Sequence, residues 1–163
     1  MFRGFLVCIA VAKYIQPHLP DGWKVSNPDV FVDGISTEFD LIIAKAGAQP
    51  EIGGFKASEV QAILEVKTSG IIANREKYPL EIRKIRDKFD KVKVKNPRIW
   101  GALLMCYGTV SPKNSASINY EKIRKEGLEQ HNYGVYTLAD SRRNEIEWGR
   151  WQEFVSTLLS KFD

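Results

Sequence analysis

The chain has 163 residues, 44% of them hydrophobic, and a net charge of +4. That length suits one domain spanning residues 1–163, and the apolar content excludes wholesale disorder. Cys8 and Cys106 both lie in apolar runs, which argues against a disulfide framework and for a reducing, cytoplasmic setting, while no apolar run approaches the ~20 residues of a membrane helix.

Residues 4–16 read as a helix. Phe2 to Ala12 (FRGFLVCIAVA) also has the outline of a secretory signal, with an arginine, a short apolar run and an A-x-A triplet at Ala10 to Ala12. Its continuation through Lys13, Tyr14 and Ile15 to a stop near Pro17 favours a buried first helix. Trp23 to Val32 reads as a strand, or as two short ones around Pro28. Glu38 to Ala44 (EFDLIIA) is a strand. Ala46 to Ser58 carries Gly47, Pro50, Gly53 and Gly54 and is a loop, with the glycine pair as a flexible connection.

Val60 to Lys67 (VQAILEVK) is the next strand. Residues 79–94 form a helix opened by Pro79, with Ile82, Ile85, Phe89 and Val92 as its buried stripe. Arg98 to Tyr107 is a buried strand, residues 119–130 a helix and Tyr133 to Leu138 a strand. The last helix runs from about Trp148 to Phe162. Its stripe of Trp151, Phe154, Val155, Leu158, Leu159 and Phe162 serves as core, and any part left exposed points to a homodimer. Central strands apolar on both faces imply helices on both sides of a mixed sheet, hence an α/β domain.

Charges interrupt two of these strands. Asp40 sits between Phe39 and Leu41, and Glu65 and Lys67 flank Val66. A buried charge is costly without a partner, so each needs a structural or chemical reason. Alternation puts Glu65 and Lys67 on one face and Ala62, Leu64 and Val66 on the other, and it sets Asp40 opposite Phe39, Leu41 and Ile43. If the two strands pair, both carboxylates and the amine meet at one spot. Two carboxylates repel unless a cation lies between them, and hard oxygen donors favour Mg²⁺ or Mn²⁺. Such an ion polarises a phosphodiester and activates water. The plainer alternative is a structural salt bridge at a sheet end, in a scaffold that is not a nuclease.

The strand Glu38-Phe39-Asp40-Leu41-Ile42-Ile43, a gap, and then Ile63-Leu64-Glu65-Val66-Lys67-Thr68-Ser69 resemble the PD-(D/E)XK nuclease superfamily. The motif takes about fifteen residues, and the similar order of elements covers roughly residues 20–140. The resemblance implies a restriction-endonuclease-like three-layer domain with a central mixed sheet flanked by helices. It implies an Mg²⁺- or Mn²⁺-dependent nuclease acting on nucleic acid, with DNA as the family's habitual substrate. Asp40 and Glu65 would bind the metal with help from the Val66 carbonyl, and Lys67 would serve the water. The chain departs from the pattern in two places. Phe39 replaces the proline, the literal Pro28-Asp29 pair and the Asp33-Gly34 pair reading as turns instead. No acid lies between Phe2 and Pro20, where many members carry a glutamate on the first helix, and Glu38 and Glu59 are the candidate substitutes. That gap motivates the alternative of a weak or inactive nuclease-like domain that binds nucleic acid or a protein partner.

Residues 75–98 hold ten Lys/Arg against four acids, a surplus of +6 that exceeds the net charge of the chain. A basic stretch following a catalytic strand suits the phosphate backbone, and a solvated helix face is the plain alternative. Arg75, Arg83 and Lys84, with Thr68 and Ser69 at the strand end, are the candidate nucleic-acid contacts. His18 and His131 are isolated and read as ordinary surface or core residues.

Overall fold

A computed structural model describes residues 2–68, 77–106, 120–140 and 145–162. Helix α1 spans Phe2–Ile15 and is stopped by a turn of 3₁₀-helix over Gln16–His18 that contains Pro17. The strands β1 (Trp23–Val25), β2 (Leu41–Lys45) and β3 (Val60–Lys67) follow. Then come α2 (Tyr78–Lys95), β4 (Trp100–Met105), α3 (Tyr120–Gly127) and β5 (Gly134–Thr137). A two-stranded ribbon, β6 (Ala139–Asp140) with β7 (Glu145–Ile146), precedes α4 (Trp148–Leu159).

The five main strands form one mixed sheet in the order β1-β2-β3-β4-β5. β1, β2 and β3 are antiparallel neighbours, whereas β3, β4 and β5 run parallel. Parallel neighbours need a crossover, and α2 connects β3 to β4. The start of β2 and the ends of β3, β4 and β5 therefore lie at one edge, since Leu41 pairs with Leu64, Lys67 with Met105, and Met105 with Thr137.

Both faces of the sheet are covered, as the unbroken apolar runs require. On one side Ile42, Ile63, Leu103 and Met105 pack under Ile82, Ile85, Phe89 and Val92 of α2. On the other, Leu41, Ile43, Leu64, Val66 and Leu104 meet Cys8, Val11 and Ile15 of α1 and Phe154, Val155 and Leu158 of α4. The α4 stripe is thus spent inside the chain. Phe154 is buried beside Trp100 and Tyr136, and Trp151, Leu159 and Phe162 are half-buried. Among the described residues no helix is long and apolar enough to cross a membrane.

Most predicted elements form within a residue or two of their expected bounds; Tyr107 and residue 119, at two of the expected ends, lie outside the described residues. Three local expectations fail. The strand expected over Trp23 to Val32 is confined to Trp23–Val25, and Val30 and Val32 make only isolated bridges, to Phe39 and Phe55. The strand over Glu38 to Ala44 begins only at Leu41, because the chain bends at Asp40. Phe39 instead bridges Val30, and its ring enters the same cluster as Ile42, so the simple alternation placing Phe39 opposite Asp40 does not hold. Gly53-Gly54 is not a loose connection. Glu51 and Gly54 exchange two backbone hydrogen bonds of 3.0 Å, and Gly54 adopts φ 108° where a Cβ would lie 2.2 Å from the Phe31 carbonyl oxygen. Only glycine fits that approach.

Packing between α2 and the sheet leaves no spare volume at β4. A Cβ on Gly101 would sit 2.7 Å from the ring of Phe89, which is fully buried. Gly101→Ala is expected to cost about 1–3 kcal/mol through overpacking, read as a lower denaturation midpoint with an unchanged denaturant slope. An unaltered midpoint would show that the ring has room to move.

Candidate functional site

The edge where β2 begins and β3 ends gathers the interrupting charges. Register does most of this. Leu41 pairs with Leu64, so the next residue outward on β2, Asp40, falls opposite Glu65. The bend at Asp40 takes the chain out of the ladder and would leave the Val66 N–H without a backbone partner on β2. That N–H donates instead to Asp40 Oδ2 at 2.6 Å. The aspartate therefore ends the ladder with its own carboxylate, and the same act fixes the carboxylate's position.

Lys67 Nζ lies 3.5 Å from Asp40 Oδ2 and 3.1 Å from Glu65 Oε2. One ammonium thus serves both acids, and the three residues singled out in the sequence converge. Glu65 is only 1% exposed, and it is the one buried charged residue among those described. Its second oxygen is also occupied. Lys88, from α2, holds Glu65 Oε1 in a close ion pair and passes its ammonium 5.3 Å from the Phe39 ring centroid. Two acids and two ammonium groups make a compact, formally neutral quartet.

Burial works against the charge on Lys67, but attraction and hydrogen bonds from Glu65 and Asp40 outweigh it and raise its pKa above the ordinary 10.5. Lys67 is consequently an ammonium throughout the neutral range. It donates hydrogen bonds and has no lone pair with which to take a proton. Helix α1 brings a thiol near this cluster. Burial first, then the carboxylates of Asp40 and Asp29, pushes Cys8 up to about 12. Burial likewise takes Cys106 to about 12, so neither cysteine is a nucleophile at neutral pH.

The remaining candidates are placed less tightly. Thr68 is half-buried directly beyond β3, beside Lys67. Lys84 precedes Lys88 by one helical turn and shares its side of α2, though its ammonium is paired with Glu81 at 2.9 Å. Arg83 is exposed and about 100° around the helix from Lys84. Ser69 and Arg75 lie outside the described residues. Asp29, of the literal Pro-Asp pair, occupies a left-handed turn position at φ 63°, and Gly34 turns with φ 73°, as the turn readings require. Neither these acids nor Glu38 or Glu59 complete a larger set, since no group of three or more His, Cys, Asp or Glu suited to a metal occurs among the described residues.

Lys88 is the residue that sequence reasoning missed. It was legible only as one charge within a basic run. A helical projection gives the missing signal: Lys88 borders the stripe of Ile85, Phe89 and Val92, close enough to the sheet for its stem to reach a strand end.

The donor set suits a hard divalent cation. Asp40 and Glu65 lie close enough to share one cation, the Lys67 ammonium, and Mg²⁺ commonly takes one or two protein carboxylates and fills its other positions with water and phosphate oxygens. Comparison with models of known protein families and with curated proteins finds no match for this chain.

Proposed function

We propose that the chain is a divalent-metal-dependent nuclease with a restriction-endonuclease-like fold, of the PD-(D/E)XK kind. The observation that carries the reading is the sharing of one ammonium by Asp40 and Glu65 at the edge where β3 ends. Two neighbouring carboxylates repel unless a cation lies between them, and the place held by the Lys67 ammonium is one a metal ion could share. The layered α/β architecture, with a mixed sheet flanked by helices, supports the same reading.

Asp40 and Glu65 would hold Mg²⁺ or Mn²⁺, with the Val66 carbonyl as the third protein donor. Bound there, the ion supplies Lewis-acid polarisation of the phosphodiester and a more acidic water. The chain's own residues do the rest. The Val66 N–H keeps the Asp40 carboxylate fixed, and burial keeps Glu65 from turning away. Lys67 would orient or activate the attacking water and offset phosphate charge. Lys84 and Lys88 on α2, with Thr68 directly beyond β3, would contact the phosphate backbone on this reading. DNA is the substrate class we favour.

A second reading has its own observation. Both oxygens of Glu65 are already matched by lysines, and no third acid joins the pair among the described residues. A nuclease-like domain that binds nucleic acid or a protein partner without cutting it fits that arrangement. The two readings part on one assay: plasmid, single-stranded DNA and RNA incubated with the protein in Mg²⁺ or Mn²⁺, beside Lys67→Ala. Cleavage that needs the metal and falls at least about 10²-fold in Lys67→Ala supports the nuclease. Binding without metal-dependent cleavage supports the second reading.

A further inference from the structure

Lys88 does not belong to either motif strand, yet it neutralises the most deeply buried acid in the site. Asp40 and Glu65 carry two negative charges, and Lys67 and Lys88 carry two positive ones. A divalent cation entering this neutral quartet, whose Glu65 carboxylate is buried, meets uncompensated positive charge and has to compete for Glu65. A phosphodiester brings negative charge of its own and an acceptor for a displaced ammonium.

The two lysines differ in how firmly they are held. Lys67 contacts both carboxylates, so moving it breaks two ion pairs. Among the described residues Lys88 forms an ion pair with Glu65 alone, its side chain is 22% exposed, and its stem is flexible. Lys84 and Lys91 lie one turn to either side of Lys88 on the same side of α2, so a released Lys88 ammonium joins a line of lysines rather than an apolar surface.

We propose that Lys88 is a displaceable counter-ion of Glu65 that makes divalent-cation binding conditional on a bound phosphodiester backbone. The inference rests on the metal-centre reading of Asp40 and Glu65. Metal and nucleic acid then strengthen each other reciprocally, because each supplies the charge the other lacks. The free protein holds the cation weakly, and the site assembles only on substrate.

The test is Mn²⁺ affinity, measured by calorimetry on the full chain alone and with a phosphorothioate duplex oligonucleotide that resists cleavage. Wild type is expected to bind Mn²⁺ about tenfold more tightly with the duplex than without it. Lys88→Met, which keeps the stem and removes the charge, is expected to bind Mn²⁺ about tenfold more tightly than wild type in the absence of duplex, and to gain less from adding it. Lys88→Arg keeps the charge and should behave like wild type. Wild-type affinity that ignores the duplex overturns the proposal, whatever the stability of the variants. Equal or weaker Mn²⁺ binding by a folded Lys88→Met also overturns it, and if wild type still cleaves, the nuclease reading stands without it. If neither protein binds Mn²⁺ under any condition, the metal-centre reading itself falls and takes the inference with it.

Discussion

Asp40→Asn is expected to reduce metal-dependent cleavage by about three orders of magnitude while leaving the fold nearly as stable as before. The substitution isolates charge from geometry. An asparagine amide oxygen still accepts the Val66 N–H that Asp40 Oδ2 takes at 2.6 Å, so the ladder end survives. What disappears is half of the negative charge that would hold the cation. Losing several kcal/mol of metal-borne transition-state stabilisation corresponds to about 10³-fold in rate at 1.36 kcal/mol per tenfold. Cleavage rates and Mn²⁺ affinity should therefore fall together, with a melting temperature within a few degrees of the parent. A salt bridge serving stability alone predicts the opposite pattern, with a lowered melting temperature and no site-specific Mn²⁺ binding to lose.

Glu65→Ala is expected to lower the stability of the fold as well as remove metal-dependent cleavage. The carboxylate is 1% exposed and pairs with Lys67 and Lys88 at once. Removing it takes the shared partner from two half-buried ammonium groups, leaving Lys67 with Asp40 and Lys88 without its ion pair. Breaking a buried pair in this one-sided way costs about 3–5 kcal/mol. In a chain of this size that lowers the melting temperature by roughly 10–15 °C. A paired substitution identifies the cause. Glu65→Leu combined with Lys88→Met removes an acid and a base together and fills the space with apolar atoms, so it should recover most of the loss. Recovery in the double variant assigns the cost to the orphaned Lys88. A double variant as unstable as Glu65→Ala would instead assign it to packing around the side-chain cavity.

Much of the fold can be read before any coordinates. β3 announces itself through eight residues with no helical period and apolar positions on both faces. The buried stripe of α2 recurs at spacings of three and four, and α2 forms with that stripe against the sheet. The convergence of Asp40, Glu65 and Lys67 needed a register that the sequence does not print, but consecutive strands pair often enough to make it the natural expectation. The bend at Asp40 was not legible, since nothing in Phe39-Asp40-Leu41 breaks a strand. It accompanies the bridge from Phe39 to Val30 and the end of β2–β3 pairing at Leu41, a tertiary arrangement. The Glu51–Gly54 turn was masked by a correct but weaker association of paired glycines with flexibility. Lys88 escaped notice because a lysine in a basic run looks solvated until the strand beneath the helix is in place.

Within the mixed sheet, β3 is the strand at which chain direction changes, with antiparallel β2 on one side and parallel β4 on the other. The start of one strand and the ends of three others consequently share a single margin. Glu65 there is pinned by its place in β3 and Asp40 by the hydrogen bond from the Val66 N–H, and the sequence that continues from β3 and from β4 starts at that margin. On the nuclease reading, lengthening or rewriting the sequence that follows those strands would change what the scaffold touches while the two acids stay anchored, so that the one could evolve separately from the other.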